Sequence, residues 1–419
     1  MRSLNYRIKS FVMQSGERYC LLVDKATAMP LFYPNLYVTT QVRNRSSSVA
    51  AMEAALSGIN VFLSFCDQYQ IDLLLRFRKG DYLSIPELDA LRDHCQISFD
   101  KRQIAPSNIV VIDQSIRRKS AKKTGLANEY VRLTHIAKYV QWLSTILTSG
   151  VSDRKATLDI AKMKKGIEAR RPSGKGRNQL GREQGLSHEQ ESVLFDVIRP
   201  GSERNPFEGE STQIRNQLII LLLFHLGMRS GELLNLRVSD IDFAKNQIVI
   251  ARRADEKKDP RNRQPLVKTL DRRLPMKDTL AQAIHNYVVR YRAKVPGARK
   301  HGYLLVTHKS GPTQGQPISR SAFIKIINLL SESAPELAGL HGHELRHTWN
   351  NRFSEFMDAR DDTVKPEDQE AQRSYLQGWK EGSGTAATYT KRFTQMKSIE
   401  ASLQLQEGIS RIPGSLKNE

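Results

Sequence analysis

Residues 341–347 read His-Gly-His-Glu-Leu-Arg-His, and they support two incompatible readings from the same residue, His343. One is His-Glu-x-x-His. That spacing puts two imidazoles on one helix face to hold Zn²⁺, with a glutamate beside them as base. The other is His-x-x-Arg, in which Arg346 stands one turn along to grip a phosphate. The neighbouring residues weigh against zinc. A guanidinium one turn from the metal would be repelled and cannot lose its proton. The longer zinc pattern needs Gly and His at positions 350 and 353, where this chain has Asn350 and Phe353. A third ligand would have to come from Glu367 or Glu370, and acidic residues are too common for that to carry weight.

Charge favours the phosphate. The 419 residues include 65 Lys and Arg against 44 Asp and Glu, a formal net charge of +21. The excess is uneven: residues 101 to 182 carry 19 Lys and Arg against 5 Asp and Glu. Such clustering is the expected footprint of a polyanion partner. Within and beside it, Arg117, Arg118, Lys119, Lys122, Lys123, Arg170, Arg171, Lys175 and Arg177 are the candidate backbone contacts to nucleic acid. The hydrophobic fraction of 39% allows ordinary globular cores, and the length suggests two or three domains. No run of 18 apolar residues occurs, so no membrane span is expected. The opening MRSLNYRIKSFVMQSGE has no long apolar core, so no signal peptide is expected there. Cys20, Cys66 and Cys95 show no paired spacing, which fits a reduced cytosolic protein and excludes a cysteine zinc cage.

Along the chain, Tyr6, Ile8 and Val12 with Tyr19, Leu21 and Val23 predict a hairpin turning at Ser15-Gly16. MPLFYPNLY, residues 29–37, reads as a linker because of Pro30 and Pro34. Met52, Leu56, Ile59, Leu63 and Cys66 predict a helix starting at Ser46 to Ser48. Further helices are expected after Pro86, over 128–148, and from Ser152 to about 170. Together these make a small all-helical domain. RRPSGKGRNQLGREQG, residues 170–185, is basic and glycine-rich and reads as an exposed linker. Ser187 with Gln190 forms a plausible capping box for the next helix. The remainder mixes helices with short strands at 248–253, 271–276 and 303–307.

Cutting a phosphodiester requires cations on the non-bridging oxygens, a proton donor for the leaving oxygen and a nucleophile. Arginine suits the first task because its planar fork matches phosphate. Arg346 is one candidate. Arg229 is another: in FHLGMRSGELLNLRVSDID, residues 224–242, Gly227 breaks an apolar helix, Arg229 follows, and Glu232 lies three residues on. Here the chain resembles the tyrosine recombinases, or phage integrases. That family carries G-x-R-x-x-E-x-x-x-L, a Lys in a β-hairpin, H-x-x-R-H, a Gly-His or Gly-Trp pair, and a Tyr about ten residues later. This sequence has GMRSGELLNL, then VKTLDRRLPM with Lys268, HELRH, QGW at 377–379, and Tyr389 in TAATYTKRF, in family order. The resemblance covers about 186 to 395, with a weaker signal in the helical segment before it.

The resemblance implies a mainly α fold with a small β component: a helical core DNA-binding domain over 41–170, a basic linker over 171–185 and a mixed α+β catalytic domain over 186–395. An N-terminal hairpin extension, 1–40, would precede these. A tail, 396–419, would follow and dock in trans through the stripe Phe393, Met396, Ile399 and Leu403. It implies that Arg229 and Arg346 clamp the scissile phosphate, Lys268 protonates the departing 5′ oxygen, and His343 assists proton transfer at the tyrosine. Trp379 would donate its indole N–H to the phosphate, and Tyr389 would be the nucleophile. Glu232 would support Arg229, and His347 would pack or orient. Lys257 and Lys258 share the Lys268 loop, and Tyr375 is a rival tyrosine lying before the Gly-Trp pair. His225 and His341 read as structural.

The implied partners are double-stranded DNA clamped between two domains, further copies of the chain in a tetrameric synapse, and accessory proteins. No metal, no cofactor and no membrane are implied, and the setting would be cytoplasmic, associated with the nucleoid in action. The implied function is site-specific recombination through a 3′-phosphotyrosyl bond without metal or ATP. A type IB topoisomerase, a telomere resolvase, or a non-catalytic DNA-binding accessory protein of a mobile element remain alternatives. Two features depart from the family pattern: an acidic insert, MDARDDTVKPEDQE at 357–370, and the N-terminal hairpin.

Overall fold

The computed structural model describes residues 4–45, 48–99, 123–148, 154–173, 185–360, 364–380, 398–399 and 401–406. The chain divides into two compact units, Met1–Leu180 and Gly181–Glu419, each with its own hydrophobic core.

In the first unit, strands β1 (Tyr6–Val12) and β2 (Arg18–Asp24) pair antiparallel, from Tyr6 opposite Asp24 to Val12 opposite Arg18. Gly16 turns the hairpin at φ 93. Residues 29–37, expected as a linker, instead contain helix α1 (Phe32–Tyr37). Pro34 lies in its first turn, where amides have no intrahelical partner, so the ring breaks nothing. Asn35 fixes α1 to β2 by accepting from the Leu22 amide at 2.8 Å and donating to the Leu22 carbonyl at 2.9 Å. The hairpin's Cys20 and Leu22 share one core with the helices that follow.

Helix α2 (Val49–Tyr69) starts after Ser48, and its Met52, Leu56 and Ile59 are fully buried, as their spacing predicts. Among the described residues it alone is long and apolar enough to cross a membrane, yet it forms the centre of this core. Helix α3 (Leu73–Arg78), capped by Asp72 onto the Leu75 amide at 3.0 Å, is too short for periodicity to reveal. Helix α4 (Ile85–Cys95) begins one residue before Pro86, with a Ser84–Glu87 capping box. Helices α5 (Leu126–Thr148) and α6 (Arg154–Ala169) complete the unit. All three cysteines are buried free thiols here.

The second unit opens with α7 (His188–Ile198), capped reciprocally by Ser187 and Gln190 as expected. Helix α8 (Glu210–Leu226) begins with polar residues, but its stretch from Leu218 to Phe224 is apolar on every face because it runs through the core, with Ile219, Leu222 and Leu223 at zero exposure. A short α9 (Ser230–Leu233) leads to a three-stranded antiparallel sheet in the order β3 (Ile241–Asp242), β4 (Gln247–Ile250), β5 (Arg272–Pro275). Helices α10 (Asp278–Asn286), α11 (Arg320–Glu332), α12 (Glu344–Asp358) and α13 (Pro366–Gln377) follow.

Residues 303–307 do not form the expected strand. They make only single bridges, Tyr303 to Arg237 and Val306 to Pro317, while Tyr303, Leu304, Leu305 and Val306 are all buried. A short apolar run reports burial, which irregular chain inside a core satisfies equally. Among the described residues the fold is thus mainly helical with two small sheets, the class the sequence implies.

Candidate active site

Helix α8 ends at Gly227, at φ 58. A Cβ there would lie 2.7 Å from the Trp349 ring and from the Gln377 amide, so both the conformation and the space demand glycine. The chain then turns through buried Met228 to Arg229, the residue before α9. The Arg229 amide donates to Glu232 Oε2 at 3.1 Å, and its guanidinium lies 3.8 Å from Glu232 Oε1 with the side chain 28% exposed.

Glu232 is the junction of this region. Its buried carboxylate also accepts from the Thr269 hydroxyl at 2.6 Å and from Arg272 Nη2 at 2.9 Å. Burial pushes the carboxyl up. The Arg272 charge and hydrogen bond, the Thr269 hydroxyl and the Arg346 charge outweigh it, so Glu232 sits below the usual carboxylate range. Arg272 in turn donates Nε to the Leu376 carbonyl at 2.7 Å.

Lys268 is exposed between buried Val267 and buried Thr269, near the end of the connection from β4 to β5. Thr269 is tied to Glu232, and the Leu270 amide donates to the Gly378 carbonyl at 3.0 Å. Lys268 therefore stands between the segment carrying Arg229 and the segment carrying Trp379.

His343 is the residue immediately before α12. Arg346, one turn on, is completely buried. It donates Nη1 to the Gly227 carbonyl at 2.7 Å and Nη2 to the Gln377 carbonyl at 3.0 Å, and lies 5.5 Å over the buried Trp379 ring. One guanidinium thus ties α8, α12 and α13 together. The His343 and His347 rings meet edge to face at 4.7 Å. Desolvation, then the charges of His347, Arg346, Arg229 and His341, lower His343 to about 4. Desolvation, His341 and Arg346 lower His347 to about 4 as well. Both rings are neutral at neutral pH.

Glu344, the base of the zinc reading, is otherwise engaged. It accepts the Gly185 amide and pairs with His341 Nε2 at 3.0 Å, while Thr348 accepts the Leu186 amide at 2.8 Å. These bonds fasten the start of the unit to α12. Among the described residues no three His, Cys, Asp or Glu gather to hold a metal.

Arg229, Glu232, Lys268, His343, Arg346, His347 and Trp379 therefore belong to one connected region, whereas Tyr389 lies outside the described residues. So do Arg117, Arg118, Lys119, Lys122, Lys175 and Arg177. Lys123 is exposed just before α5. Arg170 and Arg171 have partners inside the first unit. Arg170 donates to Asp89 at 2.7 Å and to the Gly166 carbonyl at 2.9 Å. Arg171 donates to Thr134 at 3.3 Å and covers the Tyr130 ring at 5.2 Å. Sequence reasoning missed Arg272 and Thr269. The signal was there: adjacent strand positions face opposite sides, so either Arg272 or Arg273 had to point inward.

A folded value near 4 against about 6.5 in an unfolded chain means that the unfolded state binds more protons between those values. The contribution of each histidine is complete above about pH 6.5 and declines as pH falls toward 4. The melting temperature is expected to drop between pH 7.5 and pH 4.5, and His347→Asn should shrink that drop. An unchanged drop in the variant would contradict the placement of His347.

Residues 185–360 match the phage integrase family. Tyrosine recombinase XerD of Halalkalibacterium halodurans is 25% identical over 152 residues, 36% of this chain and 43% of that one. Tyrosine recombinase XerC of Staphylococcus aureus is 25% identical over 161 residues, 38% of this chain and 44% of that one. The aligned chain thus spans less than half the length of these relatives. Among solved structures, XerA recombinase is 16% identical, with 88% of this chain and 97% of that chain covered and a TM-score of 0.36. Lambda integrase bound to DNA is 11% identical, with 84% and 91% covered and a TM-score of 0.44. Residues 185–360, which carry Arg229, Glu232, His343 and Arg346, are thus the part of the chain that is similar to the phage integrase family, the tyrosine recombinases.

Proposed function

We propose that the chain is a site-specific DNA recombinase that cleaves and rejoins duplex DNA through a 3′-phosphotyrosyl bond at Tyr389. The observation that carries this reading is the linkage of the two motif arginines. The Arg346 guanidinium bonds the Gly227 carbonyl two residues before Arg229, and Glu232 joins Arg229 to the Lys268 loop.

In the proposed step the Tyr389 oxygen attacks phosphorus while the bond to the 5′ oxygen breaks. Neutral His343 accepts the tyrosine proton, and Lys268 gives one to the leaving oxygen. Arg229 supplies the more accessible cation, and Arg346, fully buried, adds positive charge. The phosphotyrosyl bond keeps the energy of the bond it replaces, so rejoining needs no ATP. A tetrameric synapse, docking of the tail in trans and accessory proteins belong to the same proposal. Described tail residues Ile399 and Leu403 are exposed, which suits such docking.

The test is a nicked duplex that traps cleavage by losing its short 5′ fragment. The recombinase should form a denaturation-resistant DNA adduct in EDTA, whereas a non-catalytic accessory protein would form none. Arg346→Ala removes a buried positive charge together with the tie between the Gly227 and Gln377 carbonyls, and is expected to slow adduct formation by about 10²-fold or more, the scale of a misplaced catalytic group. A rate within twofold of the parent would remove Arg346 from the mechanism.

The basic stretch gives a separate expectation. Replacing Lys175 and Arg177 with Ala should reduce the slope of log affinity against log salt by about 0.9 for each phosphate no longer neutralised. Arg170→Ala should chiefly lower the melting temperature of the first unit, because its guanidinium braces α6 against α4. A slope that falls with Arg170→Ala and not with the linker pair would reverse this assignment.

A further inference from the structure

Strands β4 and β5 are antiparallel neighbours, yet residues 251–271 between them contain no helix or strand. Connections this long without regular structure are uncommon between paired strands. Such a loop places Lys268 only as well as its side chains pin it.

Three side chains far from the phosphate-binding arginines in sequence do the pinning. The Arg261 side chain is 6% exposed. It donates Nε and Nη2 to the Asp259 carboxylate at 2.9 and 2.7 Å. Its Nη1 donates to the Leu234 carbonyl at 2.9 Å and to the Ile318 carbonyl at 3.0 Å. Leu234 ends the short helix that Arg229 begins, and Ile318 lies just before α11. Tyr303 donates its hydroxyl to Asp259 at 2.9 Å, and its ring lies 4.6 Å from the Arg261 guanidinium. Gln264 then closes the loop on itself, accepting from the Glu256 amide and donating to the Arg253 carbonyl. Beyond it, Val267 enters the core and Lys268 emerges.

We propose that Asp259, Arg261 and Tyr303 form a latch that fixes Lys268 relative to Arg229, and so act as positioning residues for proton delivery to the leaving 5′ oxygen. The inference rests on Lys268 being the proton donor. In that step the tyrosine oxygen bonds to phosphorus, and the bond from phosphorus to the 5′ oxygen breaks with its electron pair passing to that oxygen. The oxygen takes the Lys268 proton. With sulfur in the 5′ bridging position, a thiolate leaves with the electron pair and needs no proton, because it is a far weaker base than an alkoxide. A defect confined to proton delivery therefore vanishes on the sulfur substrate, whereas a general structural defect does not.

The experiment compares nicked duplexes with 5′ bridging oxygen or sulfur. Both carry a binding site selected from a random-sequence duplex pool by the full chain. Arg261→Lys keeps the charge, but an ammonium cannot span a carboxylate and two carbonyls as the fork does. Tyr303→Phe removes one hydroxyl and keeps the ring. On oxygen, Arg261→Lys should cleave about 10- to 100-fold more slowly, the scale of a misplaced catalytic group, and Tyr303→Phe several-fold more slowly. On sulfur, both should match the parent. Equal losses on the two substrates, or no loss with either variant, would overturn the latch. If Arg261→Lys fails to fold, Tyr303→Phe decides alone. Lys268→Ala separates the two levels. If sulfur restores it but not Arg261→Lys, only the latch fails; if sulfur does not restore it, the proton-donor assignment falls and the latch with it.

Discussion

Tyr389→Phe is expected to abolish the covalent DNA adduct and to leave binding of the intact site within about twofold. The substitution removes one oxygen and keeps the ring, so packing changes little while the nucleophile is lost. Tyr375, the rival in the sequence, lies on α13 and is exposed. Tyr375→Phe should form adduct at the parental rate. Binding measured by gel shift beside adduct measured by denaturing gel separates the two effects. A residual adduct in Tyr389→Phe would reassign the nucleophile.

Glu232→Ala should be the most destabilising single change in the site. It strands the Arg272 guanidinium, whose side chain is 1% exposed, without its buried counter-charge. Removing one partner of a buried pair costs about 3–5 kcal/mol, because the survivor stays desolvated. In a unit of this size that is roughly 10 °C in melting temperature. Replacing both Glu232 and Arg272 with Met removes both charges and should recover most of that stability. Cleavage should stay slow in the double variant, since the Arg229 amide would still lack its acceptor and Thr269 its partner. Stability and rate that recover together would mean that Glu232 serves folding alone.

How far the sequence could lead is clearest at particular residues. Ser187 and Gln190 announced α7 because a capping box is a local signal, satisfied within four residues. The alternation around Ser15-Gly16 announced the hairpin for the same reason. Arg229, His343 and Arg346 were legible as an ordered set of residue types, and the fold joins their segments through backbone carbonyls that no sequence displays. Arg346 illustrates the limit. Its spacing from His343 suggested a phosphate ligand, while its burial against the Gly227 and Gln377 carbonyls also makes it a structural tie. The Asp259–Arg261 pair was hidden because charged residues in a Lys- and Arg-rich loop read as solvated. Only tertiary packing shows that these two are inside. Residues 29–37 misled because proline marks a break everywhere except the first turn of a helix.

The most direct test of the account is to identify the residue joined to DNA. Adduct trapped on the nicked duplex in EDTA is digested with trypsin and nuclease, and the nucleotide-bearing peptide is sequenced by mass spectrometry. The expected peptide spans residues 381–391 and carries the nucleotide on Tyr389 through its 3′ phosphate. A nucleotide on any other residue, or a 5′ linkage, would contradict it.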